Sequence, residues 1–185
     1  MKVISSARAT EKLPSRTTLS KREQEGALVR IMPGFYVEKG ITLTTENLMQ
    51  WISEKQPAAV LNLISALSFH GVTTQIPEHL SIALPRGVHM PHVYVAPIRV
   101  WYTSPKLAQA NLQEEHGQYG TFRVTTLERT LVDCFKYRHK LGLGIFLEAL
   151  QLSSQQLDVW QLQKQAADSR VLNGMLPYLR SILNK

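Results

Sequence analysis

A single cysteine, Cys134, stands among 185 residues, so no intramolecular disulfide can form. That excludes the small disulfide-stapled class and suits a reducing compartment. Long apolar runs are also missing. The longest candidate, residues 57–69, falls short of the ~18 residues that a membrane span needs. Residues 1–12 lack the apolar stretch of a secretory signal, so a cytoplasmic protein is expected. Negative charge is scarce, with 14 Asp and Glu against 21 Lys and Arg and a formal charge of +7. Acidic partners therefore suit the chain better than basic ones. No internal repeat and no low-complexity tract occurs.

The motifs of several enzyme classes are absent as well. There is no Gly-x-x-x-x-Gly-Lys phosphate loop, and Gly142-x-Gly144 lacks the third glycine and preceding strand of a dinucleotide site. No Gly-x-Ser-x-Gly elbow occurs. No carboxylate stands two residues before a lysine, the pair that many metal-dependent nucleases use. His89 and His92 flank Pro91 without a cysteine pair, so no metal site is expected. Cys134 lies on an apolar helical face and reads as core packing. Neither a catalytic residue nor a cofactor is expected.

What is present can fill a core, since 44% of residues are hydrophobic and only 19% charged. At ~100–200 residues per domain this is one domain, or one with a small appendage. The positive charge comes in two blocks. Residues 1–40 carry eight Lys/Arg against four Asp/Glu, and residues 86–140 again eight against four. Between them, residues 41–85 carry one against three and are strongly apolar.

Periodicity and punctuation divide the chain. Residues 13–26 read as a helix, with Ser20 and Glu23 at capping-box spacing and Gly26 at its end. Leu28–Ile31 and Phe35–Val37 flank a Pro33-Gly34 turn and read as a hairpin. A helix is expected over Thr44–Lys55, and a second, buried on all faces, from Pro57 to Phe69. Strands are expected at His79–Leu84, Val93–Ala96, Ile98–Tyr102 and Thr121–Thr125. Pro105–Glu115 and Thr126–Phe135 read as helices. Beyond Gly142 the chain is helical at Ile145–Leu150, at Ser154–Ala167 with Ser154 as cap, and at Val171–Leu183 across Pro177. The expected fold is α+β: a partial winged-helix head over 1–40, a mixed α/β core with a small sheet over 41–140, and a helical tail over 141–185.

The head carries the functional signal. A helix with Arg16, Thr17, Thr18, Ser20, Lys21, Arg22 and Gln24 leads into a hairpin with Arg30 beside the Pro33-Gly34 turn. Arg and Gln edges read bases in the major groove, Ser and Thr bind phosphate, and a hairpin wing places a cation on the backbone. Arg22 and Arg30 are expected to be exposed. About 15 residues precede Arg16 and Pro14 interrupts them, leaving room for one short helix, so the winged helix is expected to be partial.

The segment Gly26-Ala27-Leu28-Val29-Arg30-Ile31-Met32-Pro33-Gly34-Phe35-Tyr36 resembles the G-x-L-x-R-x-x-x-G-x-Y stretch of the AbiEi antitoxin family. Three further landmarks follow in that family's order. They are Ser65-Ala66-Leu67-Ser68-Phe69-His70-Gly71, the strand from Ile76-Pro77 to Leu84-Pro85, and Glu128-Arg129-Thr130-Leu131-Val132-Asp133. The resemblance spans roughly residues 20–135, with a looser match at Pro177-Tyr178-Leu179. It implies an antitoxin of a type IV toxin–antitoxin and phage-defence system that also represses its own transcription. The winged helix would bind repeats in its own promoter as double-stranded DNA, and the C-terminal portion would counter a nucleotidyltransferase-like toxin. Operator repeats suit a symmetric homodimer. Glu128, Arg129 and Asp133 match a family motif, for which an ion pair holding helix to sheet is the simplest account. Two other readings stand beside this one. The first is a toxin-binding interaction protein that does not bind DNA. The second, weighted lowest, is a nuclease or nucleotidyltransferase.

Overall fold

The computed structural model describes residues 3–5 and 15–183. The chain runs β1 (Val3–Ser5), α1 (Arg16–Gln24), β2 (Leu28–Met32), β3 (Phe35–Glu38), α2 (Thr45–Lys55), β4 (Val60–Leu61) and α3 (Leu63–Phe69). It continues through β5 (Leu80–Pro85), β6 (Ile98–Thr103), α4 (Pro105–Ala108), β7 (Leu112–Gly117) and β8 (Gly120–Thr125). Five helices follow: α5 (Leu127–Lys136), α6 (Arg138–Leu141), α7 (Leu143–Ser153), α8 (Val159–Asp168) and α9 (Leu172–Leu183). This is an α+β fold with a small-sheet head, a mixed central sheet and a helical tail.

The head is a three-stranded antiparallel sheet in the order β1-β3-β2. α1 precedes the β2–β3 hairpin and packs on β2. Its start is set by Ser15, whose hydroxyl accepts from the Thr18 N–H at 3.2 Å. The expected Ser20–Glu23 box lies inside the helix instead, where Ser20 is exposed. Residues 13 and 14 of the expected helix lie outside the described residues. Gly26 does end the helix, in the left-handed region at φ +70°, where a side chain is strained.

The central sheet has the order β6-β5-β4-β8-β7. β5–β6 and β4–β8 are parallel, while β4–β5 and β7–β8 are antiparallel. Both faces are covered. One face packs on α2 and the head hairpin, joining Ile31, Met32, Phe35 and Val37 to Trp51, Ile82, Leu84, Phe122 and Val124 in one core. The other face packs on α3, α5 and α7–α9, through Leu63, Trp101, Leu131, Phe135, Phe146, Leu162 and Met175. The hairpin thus shares its core with the central sheet.

Four local expectations are overturned. The all-apolar run from Pro57 to Phe69 is not one helix. Val60 and Leu61 form the middle strand of the sheet, and the helix begins only at Leu63. A strand buried on both faces and a buried helix look alike in sequence, because neither shows a polar side. The helix expected over Pro105–Glu115 closes after one turn at Ala108. Leu112–Gly117 then pairs with β8 as an edge strand, with alternate side chains outward. Val93–Ala96 is not a strand. It belongs to a connection over residues 86–97 between the parallel strands β5 and β6. The cap of α8 is Asp158, whose carboxylate accepts from the Gln161 N–H at 3.0 Å, while Ser154 ends α7.

Candidate nucleic-acid interface

α1 reads Arg-Thr-Thr-Leu-Ser-Lys-Arg-Glu-Gln, with Leu19 as its apolar residue. A helix this polar has almost nothing to bury, so most of it faces solvent. Thr17, Thr18, Ser20, Lys21 and Gln24 are exposed, whereas Arg22 is half-buried. The side chain of Arg16 lies outside the described part of the structure. Thr18 Oγ1 lies 2.9 Å from Ser15 Oγ, so this hydroxyl is already engaged at the cap. Lys21 meets Glu25 at 4.0 Å, both largely exposed; such a pair contributes ~0–1 kcal/mol and yields readily to another anion.

At the hairpin tip Pro33 and Gly34 are exposed, and Gly34 sits at φ +73°. Arg30 is placed differently from the free wing cation that was expected. It is half-buried, with its guanidinium carbon 5.9 Å from the Tyr36 ring and 4.7 Å from the Tyr94 ring. Its Nε is buried without a partner among the described residues. Tyr94 arrives from the 86–97 connection, whose backbone bonds to the hairpin through Tyr94 N–H and the Ile31 carbonyl at 2.9 Å. His92 stacks edge-on to Tyr94 at 4.7 Å, and both are exposed. The structure therefore adds His92 and Tyr94 to the neighbourhood of the wing. Pro85, Gly87, Pro91 and Pro97 punctuate this stretch and could have marked it as a loop, where a strand was expected at Val93–Ala96.

Glu128, Arg129 and Asp133 lie elsewhere, on α5. Arg129 and Asp133 are 6% and 7% exposed, and Nε meets Oδ2 at 2.7 Å. Arg129 Nη1 also donates to the carbonyls of Leu107 and Ala110, both at 3.1 Å. The pair fastens α5 to the end of α4 and the loop after it. Burial pushes the Asp133 carboxyl up, against the pull of Arg129 and Lys136. Glu128 Oε1 accepts from the Asp158 N–H at 3.2 Å, at the start of α8. These three side chains hold elements together. Burial and the charge of Asp133 likewise push the Cys134 thiol far above its ordinary value, which makes it inert.

Among the described residues no group of three or more His, Cys, Asp or Glu is placed to hold a metal ion. No helix among them is long and apolar enough to cross a membrane. No family model matches the chain, and no curated protein is significantly similar to it.

Proposed function

We propose that the chain is a DNA-binding transcriptional autorepressor and antitoxin of an AbiE-like type IV toxin–antitoxin system, acting in the cytoplasm. The observation that carries the DNA reading is the exposed polar face of α1, a helix that packs on β2 of a hairpin whose Pro33-Gly34 tip is also exposed. In this reading Thr17, Ser20, Lys21 and Gln24 face the major groove and Pro33-Gly34 rides on the adjacent backbone. Arg30 then serves chiefly to stiffen the wing, because its stack on Tyr36 and Tyr94 ties the hairpin to the 86–97 connection. The antitoxin role rests on the four ordered sequence landmarks. The reading is of a binding protein, and the internal engagement of Glu128, Asp133 and Glu148 supports it.

Fluorescence anisotropy with the promoter-proximal DNA and a scrambled duplex, across a salt series, tests the proposal. Sequence preference with a steep salt dependence is expected. Lys21→Ala with Gln24→Ala is expected to weaken specific binding by ~10–100-fold, since each base pair read is worth ~1–3 kcal/mol. It should also flatten the salt slope by about 1 for the missing cation. Equal binding to both duplexes, or an unchanged affinity in the double variant, refutes the DNA reading. These positions are better probes than Arg30, whose removal also loosens the wing. One observation favours the toxin-binding alternative: Trp160 is 64% exposed at the start of α8, with Val159 and Leu152 also exposed. A contiguous apolar patch at this end of α8 would suit a protein contact.

A further inference from the structure

Two exposed cations outside the head converge on one aromatic side chain. Arg99, on β6, and Lys140, on α6, are both exposed. Among the described residues neither has a carboxylate within ion-pair distance. Both are positioned by one indole. Arg99 Cζ lies 4.7 Å from the Trp101 ring centre and Lys140 Nζ lies 5.8 Å from it. Trp101 is 8% exposed and braced by Tyr137 at 4.9 Å, so the platform is rigid. The indole Nε1–H is itself buried without a partner among the described residues.

Arg99 and Lys140 line the same cleft, of about 290 Å³. Ile64 and Ile145 supply apolar wall, and the 75–79 loop forms another side, with Ile76 standing 90% exposed. That loop is clamped from below. Glu148 on α7 accepts from the Thr74 N–H and hydroxyl, the latter at 2.7 Å, and from Gln75 Nε2 at 3.5 Å. Glu78 is the carboxylate of the lining, against two permanent cations. The local balance is therefore positive, on walls that are partly apolar.

We propose that this cleft binds a small organic phosphate, with the phosphate between Arg99 and Lys140 and the organic part against Ile76 and Ile145. Ligand clefts run ~300–1,000 Å³, so a cleft of about 290 Å³ lies at the small end and suits a nucleoside monophosphate or sugar phosphate. Arg presents a planar fork to phosphate oxygens and Lys a point charge, so the pair neutralises a dianion from two directions. Neither cation must first break an ion pair to do so.

Isothermal titration of the full chain with inorganic phosphate, adenosine 5′-monophosphate and adenosine tests this. Binding of the monophosphate, weaker binding of phosphate and none of adenosine are expected. Arg99→Gln with Lys140→Gln is expected to weaken monophosphate binding at least tenfold, while Lys164→Gln on α8 leaves it unchanged. Both cations are exposed, so circular dichroism of the double variant should match the parent. Absence of binding by both phosphate probes overturns the proposal, as does adenosine binding as tightly as its monophosphate. A short DNA duplex that binds more tightly than the monophosphate, and no longer binds the same double variant, would assign the surface to a phosphodiester backbone and also overturn it.

Discussion

Arg129 and Asp133 illustrate how one pair of residues sets local stability. Their i, i+4 spacing on α5 would give a solvent-exposed pair little weight, but here both groups are buried and the guanidinium also satisfies two backbone carbonyls. Asp133→Ala leaves a buried, unpaired guanidinium and is expected to destabilise the chain by ~3–5 kcal/mol in denaturant titrations. Replacing both by leucine should cost less, because no charge is then stranded. Glu148 gives a pH signature. The Thr74 N–H, and then the Thr74 hydroxyl, hold its carboxyl below the ordinary value of 4.5. A lowered folded value means that its contribution is complete above the unfolded value and is lost as pH falls through the folded one. Melting curves of the parent and of Glu148→Gln are expected to differ at pH 7 and to converge below pH 4.5. A gap that persists at low pH would show that the clamp does not depend on ionisation.

At the scale of elements, α1 and α3 are opposites. α1 has one apolar residue, Leu19, and is held by its Ser15 cap and its packing on β2. α3 is short, starts without a side-chain cap at Asn62, and is held by burial together with Ser65, whose hydroxyl accepts from the Ser81 N–H of β5 at 2.9 Å. Leu63 and Leu67 are fully buried against the α5–α9 layer. Leu63→Ala is expected to cost ~2–5 kcal/mol, from lost transfer energy plus the cavity left behind. A parent-like melting temperature would show that the layer closes over the gap. The edge strands β6 and β7 also differ. β7 carries polar residues outward, which blunts pairing with another chain, while β6 buries Trp101 and leaves Arg99 exposed above it on the same face.

For the whole molecule, the decisive fact is that the head hairpin and the central sheet share a core. Ile31, Met32, Phe35 and Val37 are buried against the same cluster as Trp51 and Phe122. Thermal unfolding followed by near-ultraviolet and far-ultraviolet circular dichroism is therefore expected to show one coincident transition. An early transition confined to the head would contradict the shared core. On the proposed DNA reading, a hairpin braced by Tyr94 and the 86–97 connection would meet DNA at a lower ordering cost of association.

The sequence alone determined those parts whose signal is local. The hairpin was legible because a Pro-Gly turn between β-branched runs admits few other structures. α2 and α5 were legible because Thr44 and Thr126 cap amphipathic runs. The charged and hydroxyl residues of α1 were legible because an apolar-poor helix has few ways to be buried. Tertiary structure decided the rest, for reasons of partnership rather than propensity. Val60 and Leu61 are a strand only because β5 and β8 flank them. Leu112–Gly117 is a strand because β8 offers an edge. Arg30 faces two rings instead of solvent because a loop far along the chain brings Tyr94 to the hairpin. Arg99 and Lys140 share a cleft because the sheet and the tail helices meet around Trp101, a contact that no spacing along the chain encodes.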